Sequence, residues 1–183
     1  SMWINPDELQ DNRLIGDDGG SGNDYIRFKD NNGALIRVNI NNVNVDFTGI
    51  SPVFVVDKWQ HIAVTHDYST GNVTLYRNGV SQGMVDIASN QAWTINRIGE
   101  INESGTDYDG EMRDVRIYDY ILSDDQTASL YSGSYNVTPL HWWKLDEGTG
   151  TAVEDYGTGT DADGTSTGMT WTNGTLDLDS TLT

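Results

Sequence analysis

At 183 residues with no cysteine, the chain is long enough to bury a full β-domain core and excludes disulfides and thiolate metal sites. Its 28 acidic against 10 basic residues give a formal net charge of −18, which lacks the Lys/Arg footprint a phosphate backbone requires and argues against a nucleic-acid partner. Such an excess of carboxylates suits divalent cations, neutral ligands or plain solubility in salt. The longest apolar runs, such as Val53-Phe54-Val55-Val56, are strand-length and predict no membrane insertion.

Helical periodicity is nearly absent. Short alternating runs separated by Gly/Asn/Asp/Ser clusters predict an antiparallel sandwich or barrel. Residues 25–28 and 34–40, joined by Asp30-Asn31-Asn32-Gly33, predict a first hairpin. Residues 59–66 and 73–77, with a turn over 67–72, predict a second. Period two puts Ile62 and Val64 on one face and Trp59, His61, Ala63 and Thr65 on the other. Val115 and Ile117 likewise oppose Asp114, Arg116 and Tyr118. Ser123 before Asp124 and Asp125 is an N-cap with a dipole-matched first turn, predicting a helix of a turn or two. Residues 132–139 then read as a linker or surface crossover. A strand over 142–145, an acidic glycine-rich loop over 146–164, and short strands at 169–171 and 176–178 complete the pattern. Sequons at Asn72, Asn102, Asn136 and Asn173 are what chance supplies in a chain rich in Asn and Thr.

Three blocks carry a family resemblance. The first is Trp59-Gln60-His61-Ile62-Ala63-Val64-Thr65 with Leu75-Tyr76-Arg77-Asn78-Gly79. The second is Asp109-Gly110, then Asp114-Val115-Arg116-Ile117-Tyr118 and Leu122-Ser123. The third is Trp143-Lys144-Leu145-Asp146-Glu147-Gly148. In these blocks the chain resembles the laminin-G-like branch of the concanavalin A-like lectin/glucanase superfamily. The resemblance implies an all-β fold, an antiparallel two-sheet β-sandwich of jelly-roll type.

The order departs from the family pattern, because the third block opens the family's domain yet follows the blocks that close it. Trp3-Ile4-Asn5-Pro6 also resembles an early family strand. Two arrangements fit. Residues 1–183 form one permuted domain, with 3–131 as the family's C-terminal two-thirds and 140–183 as its N-terminal opening strands. Alternatively, the chain is cut across tandem repeats and 140–183 begins the next one. A missing strand before Trp3 would leave an edge open to strand exchange or homo-oligomer formation.

By the same resemblance the chain is a non-catalytic carbohydrate-binding or adhesion module of a larger extracellular, cell-surface or virion protein. Its partners would be a glycan or surface polysaccharide and the neighbouring domains. A structural spacer in a tandem-repeat protein is the alternative. A glycoside hydrolase ranks third, because the family's Glu-x-Asp-x-x-Glu strand is absent. The nearest acids, Glu100-Ile101-Asn102-Glu103 and Glu154-Asp155, do not fit that spacing. No Gly-x-Ser-x-Gly turn serves His61, His66 or His141 as a triad partner.

Sugar binding needs an exposed ring beside hydrogen-bonding groups, and Trp93, Tyr108 and Asp109 are the candidates. Trp59, Trp143 and Trp171 sit in strand motifs and read as core. The resemblance also implies a structural Ca2+ held by Glu147, Asp155 and Asp114, with direct pairing of Arg113 and Glu147 as the competing arrangement. The acidic loops at 17–24 and 161–164 lack EF-hand spacing and read as solvated turns.

Overall fold

The computed structural model describes residues 1–17, 24–88, 90–99, 107–134, 137–172 and 174–177. Leu178, Glu100, Glu103 and the sequons at Asn102, Asn136 and Asn173 lie outside the described residues. In chain order the strands are β1 (Met2–Pro6), β2 (Arg13–Gly16), β3 (Tyr25–Phe28), β4 (Leu35–Ile40), β5 (Val43–Thr48), β6 (Gln60–Asp67), β7 (Asn72–Arg77) and β8 (Val80–Asp86). There follow β9 (Arg97–Ile98), β10 (Gly110–Arg113), β11 (Val115–Ile117), helix α1 (Asp124–Ser132), β12 (His141–Trp143), β13 (Ala152–Val153), β14 (Gly164–Thr165), β15 (Thr170–Thr172) and β16 (Thr175–Asp177).

Two antiparallel sheets dominate, as the alternation predicts. One has seven strands in the order β15-β16-β10-β1-β6-β7-β8, the other five in the order β5-β4-β3-β2-β9. Ile26, Phe28, Ile36, Val38, Ile40, Val45 and Phe47 of the smaller sheet are buried in one core with Met2, Ile4, Ile62, Val73, Leu75, Met112 and Leu176 of the larger. Full burial of each such side chain is worth about 1.5–3 kcal/mol. The odd-numbered residues of β3 and β4 therefore point away from the core. A two-residue turn, Asn41-Asn42 with φ of 50° and 65°, joins β4 to β5. Both values suit the mirror-image turn whose twist matches a hairpin, and Asn tolerates them.

The first half of strand β6 is buried on both faces. Ile62 lies in the sandwich core, while His61 and Ala63 are also buried. Helix α1 supplies the second cover, stacking Tyr131 on Trp3 at 5.6 Å and bringing it to 6.3 Å from the His61 ring. The helix runs nine residues, longer than its sequence signal suggests. Ser123 and Gln126 form a reciprocal capping box, and Gly133 closes the far end at φ 78°. Tyr76 anchors it from β7 by donating to Asp124 at 2.7 Å.

The last third of the chain packs on the same sandwich. Strand β12 pairs with β11, Val115 opposite Trp143, and β16 pairs with β10, Met112 opposite Leu176. Trp143 and Trp171 pack against the core. Leu145 has a φ of 58°, so β12 ends before it and the alternation that would carry Glu147 onto the Trp143 face is broken.

Candidate functional site

The sequence-derived sugar platform separates in the structure. Trp93 is half-buried against the core and tilts toward His66 at 6.5 Å. Its Nε1 is buried with no hydrogen-bond partner among the described residues. Tyr108 is a correction: it is fully buried, and so offers no face to a ligand. Its hydroxyl donates to the Glu111 carbonyl at 3.3 Å, and burial pushes its pKa well up. Its polar neighbours suggest a loop tip, yet it lies just before β10 and fills the sandwich interior. Asp109 is half-buried beside it and accepts the Asp7 amide at its carbonyl, 3.0 Å away.

The three calcium candidates do not converge. Asp114, at φ 55° between β10 and β11, accepts Arg116 at 2.8 Å and the Trp142 indole at 3.0 Å. Glu147 Oε1 accepts the Glu154 amide at 3.0 Å, while its Oε2 is buried with no hydrogen bond among the described residues. Asp155 holds a histidine, as described next. Among the described residues no three His, Cys, Asp or Glu side chains gather where a metal ion would sit. As placed, this donor set does not fit a calcium ion. Nor does Arg113 pair Glu147 among the described residues; its guanidinium lies 4.6 Å from the Trp59 ring and 5.3 Å from that of Trp3.

A different constellation forms where the last third meets the five-stranded sheet. His141 and Trp143 are two apart on β12, so they share a face, and their rings stack 5.5 Å apart at 15°. Asp155 fixes the histidine through a 2.6 Å contact to Nδ1. The carboxylate also accepts the Trp142 and Gly157 amides at 2.8 Å each. Burial would raise the Asp155 pKa, but the hydrogen bonds from His141, Trp142 and Gly157 outweigh it and hold it below the usual value. Because a carboxylate only accepts, the Nδ1 proton faces Asp155.

His141 and Trp143 line a groove of about 760 Å³. Its apolar lining includes Leu145, Val153, Leu176 and Met169, with Ile98 from the edge strand β9. Its polar lining includes Asn96, Arg97, Asp163, Thr165 and Thr167. Trp143 is tied to the rim by donating to the Ala162 carbonyl at 2.9 Å, and Asp163 accepts the Asp155 amide at 2.9 Å. Gly157 lets the acidic loop cross β12 closely: a Cβ there would lie 2.1 Å from the Leu140 carbonyl oxygen. The i, i+2 spacing of His141 and Trp143 is a sequence signal for one face of this site. The opposite wall, from residues 96–98, comes from a distant segment and carries no such signal.

A family model described as the concanavalin A-like lectin/glucanases superfamily, of laminin G type, matches residues 1–128. The chain belongs to this superfamily. A solved Bacteroides ovatus structure described as a "putative carbohydrate binding protein" superposes with a TM-score of 0.63 at 19% identity. That match covers 98% of this chain and 52% of the other, so the chain spans about half of that protein. A heptameric SAP-like pentraxin from Limulus polyphemus superposes with a TM-score of 0.62 at 13% identity, covering 100% of this chain and 82% of that one. Both likenesses are of fold. A search among curated proteins returned no match. No helix among the described residues is long and apolar enough to cross a membrane.

Proposed function

We propose that this superfamily member is a non-catalytic carbohydrate-binding module of a larger extracellular, cell-surface or virion protein, taking its glycan in the His141–Trp143 groove. The observation that carries this reading is the stacked ring pair set between an apolar floor and a polar rim. A pyranose ring presents both chemistries at once, with C–H faces for aromatic and aliphatic contact and hydroxyls for Asp163, Asn96 and the threonines. The missing Glu-x-Asp-x-x-Glu strand favours binding over hydrolysis.

The same reading takes residues 140–183 as displaced opening strands of one permuted domain. The pairing of β12 with β11 and of β16 with β10 supports it. The spacer alternative draws support from the edge strand β8, whose Val80 and Met84 are each 63% exposed. Concentration-dependent self-association, lost on Met84→Lys, would favour the spacer.

A glycan array followed by titration calorimetry tests the groove. Asp163→Ala and His141→Ala should each weaken the best glycan about tenfold, the scale of one lost charge-assisted hydrogen bond or ring contact. Thermal melts guard against loss of fold. Absence of binding across the array, or binding indifferent to both changes, overturns the groove assignment.

A further inference from the structure

The seven-stranded sheet has a second buried layer on its outer face, beneath α1. Trp3 of β1 and His61 of β6 stand opposite each other there, and their rings meet edge to face at 5.4 Å. Tyr131 of α1 closes over both, 5.6 Å from Trp3 and 6.3 Å from His61. His61 is fully buried, and neither Nδ1 nor Nε2 has a hydrogen-bond partner among the described residues. A neutral imidazole carries one donor and one acceptor, so this layer leaves both unsatisfied.

The groups around the ring refuse it a proton. Burial first, then the charges of the N-terminal amine at the head of β1 and of Arg116 on β11, hold its pKa down at about 3. Arg116 donates to Asp114 at 2.8 Å. On β7, Arg77 donates to Gln60 and Tyr76 to Asp124, each at 2.7 Å. On α1, Asp124 is thereby engaged and Asp125 is exposed, which leaves Tyr131 as the titratable side chain over the ring. A proton on His61 would therefore be a buried charge with no carboxylate bonded to it.

Of the two elements that enclose the ring, only one is free to move. Strand β6 is pinned, because the His61 amide donates to Asn78 Oδ1 and the Asn78 amide to the His61 carbonyl, both at 2.8 Å. Helix α1 buries only Thr127 and Leu130. It rests on Gly79, where a Cβ would lie 3.0 Å from the Ala128 Cα, and is tied to β7 by the Tyr76–Asp124 bond. So small a buried face marks an element that opens before the sandwich does.

We propose that α1 is an acid-released cover: when His61 takes up a proton, the helix lifts off the sheet while the sandwich stays closed, baring Trp3 and Tyr76. The sign follows from where the ring is charged. With α1 docked it stays neutral to about pH 3, whereas a solvated imidazole charges below about pH 6.5. The released state gains about tenfold for each pH unit below 6.5, so its population at pH 4.5 is about a hundred times that at neutral pH.

Hydrogen exchange of the whole chain at pH 7.5 and 4.5, corrected for intrinsic rates, tests the proposal. The α1 amides should exchange faster than those of β3 and β4 at both values, and lose about a hundredfold in protection at the lower one. His61→Leu should abolish most of that loss, and His61→Gln, equally unable to titrate, serves if leucine disturbs the fold. Tyr76→Phe should speed α1 exchange at both values and keep the ratio between them. Equal protection of α1 and the two strands would mean that the helix leaves only when the sandwich opens. A hundredfold loss that persists without His61 would place the titrating group at Asp124 or the N-terminal amine. Either result overturns the proposal.

Discussion

Asp155 Oδ2 lies 2.6 Å from His141 Nδ1, and the same carboxylate takes the amides of Trp142 and Gly157 through its other oxygen. One buried side chain therefore ties β12 to the acidic loop that walls the groove. Asp155→Ala leaves two backbone amides and a ring nitrogen without acceptors. Each buried donor left unsatisfied costs about 1–3 kcal/mol, so urea unfolding should show a loss of about 3 kcal/mol or more. Asp155→Asn, which keeps one acceptor oxygen, should lose less. The carboxyl pKa is depressed in the folded state, so its contribution is complete above the ordinary carboxylate range and fades as pH falls below it. A loss under 1 kcal/mol for the alanine variant would show that the loop is held by other contacts.

His61 predicts a second, separate pH dependence. It is fully buried against Trp3 under α1, and burial, aided by the charges of the N-terminal amine and Arg116, lowers its pKa to about 3. The folded state keeps the ring neutral where the unfolded chain protonates it, below about pH 6.5. Its contribution is therefore complete above that value and lost as pH falls toward 3, at about 1.4 kcal/mol per pH unit. Between pH 7 and 5 the wild type should lose about 2 kcal/mol through this group. His61→Leu should flatten the slope in urea titrations at the two pH values, whereas an unchanged slope would place the titrating group elsewhere.

The sandwich was legible because period two in residues 25–28, 34–40, 59–66 and 73–77 is strong and local. Tyr108 misled for a local reason as well: Asp107 and Asp109 beside it look like a solvated tip, while its burial is set by the sandwich closing over it. Helix α1 looked short because its inward face holds only Thr127 and Leu130 as buried residues. The groove needs register, and so do the arginines that β2 and β3 set opposite each other. Arg13 stands opposite Arg27 only once β2, four residues with no visible alternation, is paired through an irregular register. No spacing along the chain encodes that neighbour relation.

Gly157 gives a steric prediction. A Cβ there would lie 2.1 Å from the Leu140 oxygen and 2.5 Å from the His141 Cα, both backbone atoms that cannot rotate away. Gly157→Ala should therefore displace the loop from β12 and cost about 3 kcal/mol or more, at the severe end of overpacking. Gly168→Ala is the control: nothing lies within 4 Å, and only its φ of +71° resists the substitution. That left-handed strain is worth about 1–2 kcal/mol. Chemical denaturation of the two variants side by side should rank Gly157→Ala clearly lower; equal stability would mean the loop shifts freely.

The calcium expectation meets its test in ligand competition. Asp114 is engaged by Arg116 and Trp142, Asp155 by His141 and two amides, and Glu147 by the Glu154 amide. Gathering them around an ion would require breaking several of these bonds, including the charge-assisted pair at Asp114. A specifically bound ion at a hundred times its Kd would add about 2.7 kcal/mol to stability. Thermal melts in millimolar CaCl2 and in EDTA should coincide, because among the described residues no preformed donor set offsets that rearrangement. A rise of several degrees with calcium, abolished by Asp155→Asn but not by Lys29→Gln, would show that the carboxylates regroup around the ion. The Asp114–Arg116 bond would then be the one to yield, since Arg116 could stay over the Trp142 ring, 4.6 Å from its centre.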